Sequence, residues 1–222
     1  MNTAKIYTSC QERMLALADD LTAEQLATPV PALPAWTVQQ TYAHLAGLCA
    51  DVPAERVTPP ADDAVTARQV VEREHLDIAG LCAAWREDTP ALLEVFATRT
   101  RARYFLPAVD VWHHENDVRG ALGMPAQPEH ADELAAFVLG ATARAWSPDL
   151  PGVRVAATDT GQEWAFGERA DLEWSATAFE LLRAATGRRS AAQMRAMDWS
   201  GDPSGVLHRL SAFPFPEVDL RV

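Results

Sequence analysis

Cysteine is scarce in this chain. Its three residues, Cys10, Cys49 and Cys82, are odd in number, far apart, set among apolar neighbours and never arranged as CxxC. Such thiols read as reduced and mostly buried in a cytoplasmic protein, and none has a neighbouring base that would make it a nucleophile. Long apolar runs are missing too. No stretch of about 18 apolar residues offers a membrane span, and the start Met1-Asn-Thr-Ala-Lys-Ile6 lacks the apolar core of a signal peptide. Basic residues are in the minority, 19 against 31 acidic ones, giving a net charge of −12. The arginines come in short runs (Arg99, Arg101, Arg103; Arg188, Arg189) broken by acidic stretches, so a nucleic-acid partner is disfavoured and the charge serves solubility. There is no GxGxxG, no P-loop, no GxSxG elbow, no repeat and no low-complexity segment.

What is present is ordinary globular material, 48% hydrophobic and 23% charged, long enough for one large domain or two small ones. Apolar spacing predicts a helix over residues 3–20 and a helical turn at 21–26, after which Pro29, Pro31 and Pro34 impose a loop. Thr37-Val-Gln-Gln40 has the form of a capping box and starts a helix to Asp51, with Trp36 positioned to staple onto its second turn. Residues 51–64 read as a loop. A helix follows over 66–87, with Pro90 opening a short one to Phe96. The helix from about Tyr104 to Leu122 has Pro107 in its first turn and Gly123 as its stop. Residues 127–146 form one more helix.

Beyond Pro148 the texture changes. Residues 152–158 and 163–166 alternate as strands around the turn signal Asp159-Thr-Gly161. Residues 170–174 are a third strand or a helix entry, and short helices follow at 176–186, 190–197 and 207–210. The fold class expected is mainly α with a small α+β part: a helical domain over residues 1–148 and a small α+β domain over 149–222.

Chemistry concentrates in Asp110-Val-Trp-His-His114-Glu-Asn-Asp117. Residues four apart share a helix face, with Cβ atoms roughly 6 Å apart, so Asp110 and His114 could hold one ion. His113 is rotated about 100° away from that face. His44, in the apolar setting Tyr42-Ala-His44-Leu-Ala, is the third candidate. Three protein ligands with one open position is the pattern of catalytic zinc. The competing reading is an ordinary i,i+4 ion pair on a solvated face and a core histidine. Asp117 is either an acceptor that orients a ligand imidazole or a salt-bridge partner. His75, His130 and His208 have no matching partners and read as structural or exposed.

Three stretches together resemble the mycothiol-dependent maleylpyruvate isomerase family: Pro34-Ala-Trp36-Thr-Val38 with Ala43-His44-Leu-Ala-Gly47, then Asp110 to Pro125 with its D-x-R-x-A-L-G-x-P ending, then Ala157-Thr-Asp159-Thr-Gly161…Trp164 and Glu180-Leu-Leu182…Thr186-Gly-Arg188. The resemblance spans nearly the whole chain. It implies a DinB-like four-helix bundle followed by a small α+β domain, a divalent metal such as zinc on His44, Asp110 and His114, and mycothiol or a similar small thiol as cosubstrate. It also implies a small electrophilic substrate, and Arg188 near a substrate carboxylate. Where the isomerase carries glutamate among its ligands, this chain has the shorter Asp110. The expected activity is an isomerase or S-transferase that activates a thiol, in a monomer or homodimer. The alternatives are a zinc hydrolase-like enzyme, with Glu115 or Asp117 as base, and a binding module without catalysis.

Overall fold

The computed structural model describes all 222 residues. By its contacts the chain divides into two compact units, residues 2–127 and 128–221.

The first unit is a helix bundle. Helix α1 (Thr3–Ala18) turns Ile6, Cys10 and Met14 inward at every fourth position. Helix α2 (Ala23–Leu26) is short. A two-stranded antiparallel ribbon follows, β1 (Pro29–Val30) with β2 (Leu33–Thr37), where the prolines had predicted only a loop. A ribbon this short has two free edges, so prolines without N–H groups do it little harm. Helix α3 (Val38–Asp51) begins with the predicted capping box, in which Gln40 N donates to Thr37 Oγ1 and Thr37 N to Gln40 Oε1. Trp36, just ahead of the cap, lies against the ring of His44.

The single helix expected over 66–87 is two. Helix α4 (Asp63–Val71) stops, and α5 (Ile78–Thr98) restarts on an Asp77 cap whose carboxylate accepts from Gly80 N at 2.8 Å. Pro90 opens no new helix but sits inside α5. An interior proline costs about 3 kcal/mol. Tertiary packing outweighs it here, because Leu81, Trp85, Leu92 and Phe96 keep one buried stripe on both sides of it. Helix α6 (Leu106–Ala121) is buried almost all round, including the consecutive polar residues His113 to Asp117. Helices α1, α3, α5 and α6 pack together as the four-helix bundle. Its core is seamed by polar contacts, with Trp85 Nε1 donating to Tyr7 Oη at 2.7 Å and Tyr42 Oη to the Met14 carbonyl at 2.7 Å.

In the second unit, α7 (Ala131–Arg144) and α8 (Ala178–Ala185) pack on each other. The sheet runs β4 (Glu163–Phe166), β3 (Val153–Ala157), β5 (Leu172–Ala176), β6 (Asp198–Trp199). Strands β3 and β4 form the expected antiparallel hairpin, β5 runs parallel to β3, and β6 antiparallel to β5. Gly187 closes α8 at φ +73°, and α9 (Ala191–Arg195) starts on a Ser190–Gln193 capping box. The last helix is α10 (Leu207–Leu210). No helix is long and apolar enough to cross a membrane.

Candidate metal centre

Five consecutive buried polar residues on α6 need partners, since an unpaired buried polar group costs several kcal/mol. Those on the side away from Asp110 find structural ones. Glu115 receives both Arg13 Nε at 2.7 Å and Arg13 Nη2 at 2.8 Å, with Arg119 Nε at 3.4 Å. Asn116 bridges the helix to Gln127 through Nδ2 and Oδ1. His113 packs edge-on against Trp112.

The remaining face converges with α3. Asp110 Oδ2 lies 3.2 Å from His44 Nε2, and Asp110 Oδ1 lies 3.3 Å from His114 Nε2. The potential ligand atoms of the three residues lie within 4.8 Å of one another, an arrangement able to hold a metal ion. The two rings stand perpendicular, 5.2 Å apart, and the Trp36 indole lies 4.9 Å from His44 and 6.3 Å from His114. Both histidines also have their outward nitrogens engaged: His44 Nδ1 sits 2.9 Å from Gln69 Oε1, and His114 Nδ1 sits 3.3 Å from Asp117 Oδ2. Asp117 lies against His114 as an acceptor, and Arg119 pairs with Glu115.

The electrostatics follow from this closeness. Burial pushes the Asp110 carboxyl up, but the imidazoles of His114 and His44 overcome it and hold the group well below the usual carboxylate range. Burial pulls His114 down, and the charges and hydrogen bonds of Asp110 and Asp117 outweigh it, raising the imidazole to about 9. The imidazoles are 3% and 4% exposed, whereas the Asp110 side chain is 31% exposed, so solvent reaches the cluster on the carboxylate's side. A cleft of about 380 Å³ lined by Gln39, Ala43, Val70 and Arg73 contains none of the three.

Arg188 stands in the second unit, donating from Nη1 to the Thr186 carbonyl at 2.9 Å and lying over the Phe213 ring. His130 is buried beside Glu129 and Glu133 at 3.5 and 3.3 Å, so it has partners that the sequence did not suggest. Gln69 is fully buried and was not anticipated at all. The only sequence trace of its environment is the run of His44, Gly47 and Asp51 along one face of α3.

Residues 7–119, just over half of the chain, match the model of the mycothiol maleylpyruvate isomerase N-terminal domain. Two crystal structures share the fold. One, of the mycothiol-dependent maleylpyruvate isomerase, is 16% identical with a TM-score of 0.59; the other, of a point mutant of that isomerase, is 15% identical with a TM-score of 0.60. Each alignment covers 96% of this chain and 93% of the other. No curated protein gives a significant match.

Proposed function

The chain belongs to the mycothiol maleylpyruvate isomerase N-terminal-domain family, and from that premise we propose a metal-dependent thiol enzyme, an isomerase acting on a small electrophile with a conjugated double bond. The ligands proposed are His44, Asp110 and His114. Two imidazoles and a carboxylate suit zinc, and both rings have an acceptor at Nδ1, which leaves Nε2 for the ion. A divalent cation held there would stabilise the thiolate of mycothiol or a similar small thiol, which is the nucleophilic form.

The protein's own part is to hold and to shield. Gln69 and Asp117 fix the two rings, Asp110 supplies the negative charge, and the Trp36 indole covers one side of His44. Addition of the thiol sulfur to a conjugated cis double bond makes it a single bond. Rotation follows, and elimination returns the thiol and the trans product. A retained conjugate would be the transferase outcome. Arg188 is the candidate for a substrate carboxylate on the resemblance alone.

The observation that carries this reading is the meeting of His44 from one helix with Asp110 and His114 from another, inside the segment that defines the family. Hydrolysis is less well supported, because it needs a free base. Glu115 is held by Arg13 and Arg119, and Asp117 lies against His114. Metal analysis combined with a mycothiol-dependent maleylpyruvate isomerisation assay tests the proposal. Wild type is expected to contain a divalent ion and turn over only with thiol, and His114→Ala to lose both. Equal metal content in the two would overturn the ligand assignment, isomerisation without thiol would overturn the thiol reading, and formation of a cleaved product without thiol would favour hydrolysis.

A further inference from the structure

We propose that Gln69 is a positioning residue that fixes which ring nitrogen of His44 carries the proton, and that Asp51 in turn sets the direction of the Gln69 amide. This rests on the metal-site reading above and adds to it a source of ligand orientation outside the three ligands.

The constraints start at Asp51, which is fully buried and ion-paired with Arg56 and Arg68. An ionised carboxylate only accepts hydrogen bonds. Its Oδ2 receives Arg68 Nη2 and Gln69 Nε2, each at 2.9 Å. The NH₂ end of Gln69 is thereby turned toward Asp51, and the carbonyl end toward His44, with Oε1 2.9 Å from Nδ1. A carbonyl oxygen also only accepts, so His44 Nδ1 must bear the hydrogen. A neutral ring so protonated offers its lone pair at Nε2, the atom facing Asp110. The reversed amide would set a carbonyl against a buried carboxylate and lose the hydrogen bond that Asp51 Oδ2 accepts, a penalty of about 1–3 kcal/mol. The charge of one buried carboxylate thus dictates the tautomer of a ligand through a single amide.

The backbone is shaped to admit this amide. His44, Gly47 and Asp51 lie at i, i+3 and i+7 on one face of α3, and Gln69 of α4 rests across that face. A Cβ on Gly47 would fall 2.6 Å from Gln69 Cβ and 2.8 Å from its Cγ. The two imidazoles are oriented by different chemistry, a neutral amide at His44 and a carboxylate at His114.

The test uses the full chain with ¹⁵N-labelled histidine. In metal-free wild type, His44 is expected to show a protected Nδ1–H, hydrogen-bonded to the Gln69 carbonyl. Asp51→Asn, which frees the amide to turn over, should shift population to the Nε2–H tautomer, and Gln69→Leu should lose the protected Nδ1–H. Zinc affinity, measured by chelator competition, should weaken about 10–100-fold in each single variant. The double variant Asp51→Asn with Gln69→Glu should restore both readings, because asparagine donates to the glutamate carboxylate, which accepts from Nδ1. Should Asp51→Asn fail to fold, Gln69→Leu and the double variant still decide the matter. Unchanged ring shifts in the single variants, or a double variant worse than either, would overturn the relay. Wild type that takes up no zinc would overturn the metal reading, while the ring shifts would still judge the relay.

Discussion

Asp110 is the one member of the triad that is only half-buried, and its carboxylate bridges the other two. Asp110→Asn keeps the shape and removes the charge. Its zinc affinity, read by calorimetric titration, is expected to fall by more than the roughly 100-fold seen when only an outer hydrogen bond is lost. Asp110 and His114 were legible in the sequence because i,i+4 spacing is a local property of a helix. His44 was a candidate from its apolar setting on a second helix, and the family resemblance fell on the same residue, although nothing local joins it to residues 66 or more positions away. Gln69 was illegible for a related reason: its role exists only once α4 crosses α3. The cysteines carry a pH prediction. Burial pushes the thiols of Cys49 and Cys82 up to about 11, from an ordinary 9. A group that holds its proton more tightly when folded contributes stability in full below its unfolded value and loses it as pH rises through the folded one. Stability should therefore decline between about pH 9 and about pH 11, and Cys49→Ala should flatten the decline in denaturant titrations.

At the scale of elements, two substitutions on α3 separate propensity from packing. Gly47→Ala would gain up to about 1 kcal/mol of helix propensity. The added Cβ would overlap Gln69, which is anchored at both ends, and overpacking costs about 1–3 kcal/mol; the clash should win. The variant is expected to be less stable in urea and to bind zinc more weakly. Thr37→Ala removes a cap, costs about 1 kcal/mol and should lower Tm by about 2–4 °C at this chain length, leaving zinc affinity near wild type. Elements bounded by cap and stop residues, such as α3 and α6, were readable from the sequence. The break between α4 and α5 was signalled by Asp77 but hidden by apolar periodicity that continues through it. Pro90 misled because its local preference is a helix start, whereas the packing of Trp85 and Phe96 keeps one helix intact across it.

For the whole molecule, all three proposed ligands and both of their orienting partners come from the first compact unit. The domain division after residue 148 remains a proposal, and contacts group α7 with the second unit. Fragments ending at 127 and at 148 distinguish the two divisions: whichever melts more cooperatively owns the natural boundary. A folded fragment of either length should take up zinc within a few-fold of the intact chain. All three cysteines are interior. On the proposed function, an enzyme that borrows its reactive sulfur from a diffusible partner, while presenting none of its own, gives oxidants no handle for mixed disulfides. Under oxidative stress such a catalyst would fall silent through depletion of its partner and recover when the reduced pool returns, with no repair of the polypeptide.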